Sequence, residues 1–221
     1  MPDRSFARAV AQQHFSQNDP AAWFDVLYKK AEGDQDRIPW VAAHANSSVL
    51  EWLHRELPEA AGRSALVVGC GLGEDAEALA QHGFNVTAFD IAPTAIEWAR
   101  QRWADSRVQY VCADLFNLPS DWTRAFHFVL ECYTVQALPP QLRPQTIAAV
   151  ASLVGDNGRL LVVARARNEQ DPPGDMPWPL TEHEIRLFET YGLQMLQLED
   201  YMDREDPPVR RWRALMERTV E

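Results

Sequence analysis

The segment Val67-Val68-Gly69-Cys70-Gly71-Leu72-Gly73-Glu74 constrains this 221-residue chain more than any other. An apolar run from Ser64 to Val68 stops at three glycines in a G-x-G-x-G pattern. The run is too short for a helix and ends in β-branched residues, so it reads as a buried strand. Glycines where a strand hands over to a helix let the backbone turn sharply and come close to a ligand. Taken alone, they also fit a tight turn that binds nothing. Glu74 narrows the choice of ligand. A carboxylate at the start of a helix repels a pyrophosphate there, but accommodates a ligand with a cationic amino-acid end.

Beyond the glycines, strand and helix patterns alternate. Apolar strand runs at 85–90, 108–112, 126–130 and 159–164 are separated by helical stretches at 74–82, 93–104 and 141–154. A helix over 180–191 follows, with Thr181 and Glu184 spaced as a capping box. Two last strands, 194–199 and 209–216, are joined as a hairpin through Pro207-Pro208. In the final strand Trp212, Ala214 and Met216 share one face and arginines the other. This order predicts an α/β, Rossmann-like fold: a mostly parallel seven-stranded sheet with one antiparallel strand from the C-terminal hairpin, and helices on both faces.

The chain reads as a single domain, 1–221. Residues 47–221 form the α/β core, and residues 1–46 a helical cover. Ala21–Tyr28 continues from Asn18-Asp19-Pro20 as a helix start. Ser48 and Glu51 read as a second capping box, with Leu50, Leu53 and Leu57 behind it and Pro58 as its end.

Formal charge is −11, so the surface repels phosphate backbones and a nucleic-acid partner is not expected. No apolar run reaches spanning length, so no membrane partner is expected either. Three cysteines without a C-x-x-C pair point to the cytoplasm. Six scattered histidines form none of the ligand spacings that hold a metal. A monomer or homodimer is expected.

Three further segments end strands on the same side of the sheet as the glycines. Asp90 closes the second strand. Its carboxylate suits the two hydroxyls of a ribose, or the N-cap of the next helix. Ala113-Asp114-Leu115 follows the third strand; Asp114 can accept the exocyclic amine of an adenine while its apolar neighbours pack on the ring, or can be an ordinary loop residue. Glu131 and Tyr133 end the fourth strand. Ligands of open α/β sheets bind at these carboxyl ends. Trp23, Tyr28, Trp40 and Trp178 fit either an aromatic pocket wall or core packing. His44, in a loop after Trp40, is a third candidate base beside Glu131 and Tyr133. Cys70 and Cys132 lack a visible helper base and read as small apolar fillers.

The glycine loop, Asp90, the Ala-Asp-Leu segment and the turn Gly155-Asp156-Asn157-Gly158 into the fifth strand resemble, in that order, the class I S-adenosylmethionine-dependent methyltransferases. The resemblance covers about residues 49–218. It implies S-adenosylmethionine as cofactor and a small-molecule methyl acceptor. It places Gly69, Gly71 and Gly73 at the methionine moiety, Asp90 at the ribose, and Ala113 with Asp114 at adenine, and Cys70, Ile91 and Leu115 are expected among the cofactor-binding residues. Glu131 would stand near the methionine end or the methyl group. Trp23, Tyr28, Ile38-Pro39-Trp40 and Trp178-Pro179-Leu180-Thr181 are similar to the thiopurine methyltransferase-like branch, in which an N-terminal segment lies over cofactor and substrate. A nicotinamide-dependent oxidoreductase shares the glycine turn and Asp90, but Glu74 and the missing third fingerprint glycine disfavour it. A catalytically inactive cofactor-binding sensor of the same fold is the other alternative.

Overall fold

Alternating burial along the strands builds the architecture. In β1 (Ser64–Val68), Leu66 and Val68 pack into one apolar cluster, Ala65 and Val67 into another. A strand buried on both faces belongs at the centre of a sheet covered on both sides. The computed structural model describes residues 5–15, 21–41, 43–56 and 60–219. Its strands are β1, β2 (Asn85–Asp90), β3 (Gln109–Cys112), β4 (Phe126–Cys132), β5 (Val154–Arg165), β6 (Leu193–Met202) and β7 (Arg210–Arg218). They form one seven-stranded sheet in the order β3-β2-β1-β4-β5-β7-β6. β1 to β5 pair in parallel, and β7 runs antiparallel to both its neighbours. That is the mostly parallel sheet with one reversed strand expected from the alternation.

Helices α3 (Ser47–Glu56), α4 (Glu74–Gln81) and α5 (Pro93–Arg102) cover one face. There Trp52 stacks on Phe128 with ring centroids 5.4 Å apart. Helices α6 (Arg143–Leu153) and α7 (Glu182–Arg186) cover the other. The Thr181–Glu184 capping box forms as spaced, but only five residues stay α-helical before residues 187–191 tighten into a 3₁₀ turn.

Two local expectations are corrected. The N-cap of α3 is Asn46, whose Oδ1 accepts from the Ser48 amide at 2.9 Å. Ser48 is therefore inside the helix, and Glu51 pairs with Arg213 at 3.5 Å instead of closing a box. Arg211 and Arg213 face the sheet side opposite Trp212, as read, yet are buried against carboxylates, while Arg210 lies on the Trp212 side, over its ring at 5.5 Å. Leu57, Pro58 and Asn18-Asp19-Pro20 lie outside the described residues.

Helices α1 (Ser5–Phe15) and α2 (Ala22–Ala31) form a third cluster. Trp23, Leu27, Tyr28 and Ile38 are buried there against Leu72, Ala92 and Ala95, which follow the ends of β1 and β2. The Thr94 amide donates to Asp25 Oδ1 at 3.0 Å, and Arg8 Nε to the Met176 carbonyl at 2.9 Å. The segment is thus fastened on both sides of the strand ends.

Candidate active site

Register brings the chemistry to one edge. Val68 pairs with Phe89 and with Glu131, and Asp90 with Cys112. The residues immediately after β1, β2, β3 and β4 therefore emerge side by side, flanking the β1–β4 crevice where the strand order reverses. Beneath α1 and α2 lies a cavity of about 390 Å³, within the range of small-molecule sites.

One half of this cavity has the donor set of a nucleoside site. Gly69 and Gly71 line it with φ of +61° and +54°, a left-handed backbone suited to glycine. A Cβ on Gly69 would lie 2.4 Å from the Thr134 hydroxyl, so the loop closes on the β4 turn only with glycine there. Asp90 accepts from the Gly71 amide through Oδ2 and from the Ala92 amide through Oδ1, both at 2.9 Å. It thus closes the turn leading into α5, whose N-cap is Ala92 without a side-chain cap, and also lines the cavity. An ionised carboxylate has about four acceptor sites, so acceptor capacity remains for a ribose hydroxyl. Burial raises its pKa, and the amides of Ala92, Gly71 and Ile91 oppose that shift. Ile91, Ala113, Asp114 and Leu115 line the adjoining wall. Asp114 holds the Phe116 amide through Oδ1 at 2.9 Å, which fixes its orientation. This backbone cradle, acid and apolar wall fit S-adenosylmethionine.

Other expected site residues stand elsewhere. Gly73 is outside the cavity lining; a Cβ there would sit 2.3 Å from the Tyr110 hydroxyl, so its glycine serves helix–strand packing. Cys70 turns into the core, where burial and then Asp90 push its thiol pKa well up. Cys132 does line the cavity, and burial raises its thiol likewise. Glu131 is outside the cavity lining, although it shares a sheet face with the lining residues Val68 and Phe89. Its Oε1 accepts the amides of Thr134 at 2.7 Å and Val135 at 2.9 Å, while Oε2 is buried without a hydrogen bond. Burial raises its pKa to about 7 against those two amides. His44 is exposed and outside the lining; the same loop contributes Asn46 instead.

The other half of the cavity is aromatic and charged. Trp23, Phe24, Tyr28 and Trp40 line it from the cover. Trp23 and Phe24 stack at 4.0 Å, Trp40 meets Trp23 edge-on at 5.7 Å, and Trp40 Nε1 donates to the Tyr28 hydroxyl at 3.0 Å. Trp178 stands one layer back, against Phe15, with its amide on the Gln136 carbonyl. Tyr133 lines the cavity at φ +69°, its phenol pKa raised chiefly by burial. Gln136, Arg165, Glu205 and Arg211 complete this half, and sequence reasoning did not single them out for the site. The arginine-bearing face of the last strand was the available signal, but it does not reveal what the arginines meet.

A doubly covered parallel sheet, a glycine cradle at its switch point and an acid on the neighbouring strand define a class I S-adenosylmethionine-dependent methyltransferase. Over its whole length the fold matches the Burkholderia thailandensis 1,6-didemethyltoxoflavin-N1-methyltransferase, solved with 1,6-didemethyltoxoflavin and S-adenosylhomocysteine, at a TM-score of 0.67 and 20% identity, covering 100% of this chain and 92% of that one. The chain belongs to the thiopurine S-methyltransferase family, whose model matches residues 30–219. A thiopurine S-methyltransferase of Marinobacter nauticus is 24% identical over 184 residues, 74% of this chain and 83% of the relative. A ubiquinone biosynthesis O-methyltransferase of Xanthomonas axonopodis is 32% identical over 152 residues, 67% of this chain. The chain spans 60% of that relative's length.

Proposed function

We propose that this protein methylates a small aromatic acceptor with S-adenosylmethionine as donor. The observation that carries this reading is one cavity with two chemically distinct halves. Gly69, Gly71, Asp90 and Asp114 offer a nucleoside site, and Phe24, Trp40, Tyr133 and Arg211 offer a flat, partly cationic chamber beside it. When bound, the cofactor supplies an electrophilic methyl group on a sulfonium. The protein's share is alignment of the acceptor and exclusion of water. Helices α1 and α2 serve both tasks by roofing the strand ends. Relatives acting on ring systems, among them a 2-heptyl-1-hydroxyquinolin-4(1H)-one methyltransferase of Mycobacteroides abscessus at 25% identity, support an aromatic acceptor. The acidic chain and its free cysteines support a small-molecule role in a reducing cytoplasm.

A mass-spectrometric screen for methyl transfer tests this reading, with thiols, phenols, amines, halides and oxidised metalloid anions as acceptors. Calorimetry with S-adenosylhomocysteine is the accompanying measurement. Micromolar-range binding and turnover of an aromatic acceptor are expected. Folded protein that gives no heat at high S-adenosylhomocysteine concentration overturns the proposal.

A further inference from the structure

Three carboxylates line the cavity: Asp90, Asp114 and Glu205. Asp90 and Asp114 stand after β2 and β3, on the nucleoside side, and each holds backbone amides. Glu205 comes from the opposite side, in the loop joining β6 to β7. The sheet order places β2 and β3 on one side of β1 and β4, with β7 and β6 on the other. Glu205 therefore faces the acceptor half.

Its surroundings are built rather than incidental. Arg211, only 2% exposed, donates from Nε to Asp203 Oδ2 and from Nη2 to Glu205 Oε1, both at 2.6 Å. The guanidinium also lies 4.8 Å from the Tyr133 ring centroid. Asp203 also accepts the Glu205 and Val209 amides, so both of its oxygens are engaged, and it stays outside the cavity lining. Glu205 is different. Its Oε1 is held by Arg211, its Oε2 has no hydrogen bond among the described residues, and its side chain is 44% exposed. Arg211 Nη1 likewise makes no hydrogen bond among the described residues. A fixed acceptor oxygen thus stands beside a buried cationic donor in one chamber wall.

We propose that Glu205 is the catalytic base for a neutral, protic aromatic acceptor, with Arg211 holding it in position. The acceptor's X–H donates to Glu205 Oε2. As the X–CH₃ bond forms and the donor's S–CH₃ bond breaks, X–H becomes strongly acidic and its proton passes to Glu205. Arg211 Nη1 stabilises the electron-rich X atom before transfer. The proton then leaves to water through the exposed side of Glu205. The net change is X–H plus sulfonium to X–CH₃, thioether and a proton, so no oxidant or further reactant is needed. An acceptor already ionised in solution does not need the base.

This inference rests on the proposed methyl transfer, and two measurements on wild type and Glu205→Gln separate the two. The first is binding of 4-nitrophenol to the S-adenosylhomocysteine complex, read by the absorbance that distinguishes phenol from phenolate. A carboxylate that accepts the phenolic proton's hydrogen bond stabilises the protonated ligand. The apparent pKa of the bound phenol should therefore be at least about one unit higher in wild type than in Glu205→Gln. The second is turnover of phenol and thiophenol at about pH 8, where a simple phenol is protonated and thiophenol ionised. Loss of a general base should lower kcat/KM for phenol by about 10²-fold or more, at least tenfold beyond any loss on thiophenol, with Glu205→Asp recovering part of it. Equal bound pKa values, no nitrophenol binding, or matching losses on the two acceptors overturn the role of Glu205. Absence of S-adenosylhomocysteine binding overturns the methyltransferase reading itself.

Discussion

Glu131→Gln tests the reasoning about buried groups most directly. Glu131 is fully buried between the end of β4 and the turn that follows, with its pKa raised from 4.5 to about 7. Burial is the main cause; the Thr134 and Val135 amides recover part of it, and Oε2 has no hydrogen-bond partner among the described residues. A carboxyl whose folded pKa is raised binds its proton more tightly in the native state than in the unfolded chain. Its contribution to stability is complete below about pH 4.5 and is lost as pH rises towards 7. With one pKa unit equivalent to 1.36 kcal/mol, wild type should lose about 2–3 kcal/mol from this group between about pH 5 and pH 8. Glutamine keeps a carbonyl oxygen for the two amides and has no charge to bury. Its added N–H donors lower stability at every pH alike, so the slope carries the information rather than the absolute value. Urea unfolding of both proteins at about pH 5, 6, 7 and 8 measures the difference. The gap should move in favour of glutamine by about 2–3 kcal/mol across that window. Parallel stability curves would show that Glu131 titrates normally, and the assignment of its burial would be wrong.

Three other perturbations follow from the site. Asp90→Ala should weaken S-adenosylhomocysteine binding by about 1.5–3 kcal/mol, the usual worth of hydrogen bonds to a charged group; an unchanged Kd by calorimetry would reduce Asp90 to a residue that only holds the Gly71 and Ala92 amides. Gly73→Ala should lower unfolding free energy by about 2 kcal/mol or more, because it combines a φ of +93° with a contact at the Tyr110 ring; a variant with wild-type Tm would mean that the α4–β3 contact relaxes freely. A chain of residues 47–221 should keep the two sheet-face clusters, which are separate from that of the cover, but lose turnover and part of its S-adenosylhomocysteine affinity. Full turnover by the folded truncated chain would refute a roofing role for α1 and α2.

What the sequence alone determined is local or periodic. Strand–helix alternation predicts the mixed sheet because hydrophobic period distinguishes the two elements. The Thr181–Glu184 box could be read because capping depends on residues three apart. Gly69, Gly71, Asp90 and Asp114 were legible because each lies at or just beyond the carboxyl end of a strand, and parallel strands in register deliver such positions to one edge. Tertiary structure decided whatever depends on where a side chain points or what lies opposite. Gly73 belongs to packing because Tyr110, on the distant strand β3, fills the space beside it. Glu131 stays out of the cavity lining because its carboxylate turns onto the Thr134 and Val135 amides, although it shares its sheet face with Val68 and Phe89, which do line the cavity. Arg211 and Glu205 lie far along the chain from the glycine loop, and only the antiparallel placement of β7 beside β5 brings them to the same cavity. An arginine in a strand looks solvated until the fold supplies its carboxylates, because burial and pairing belong to the partners rather than to the residue.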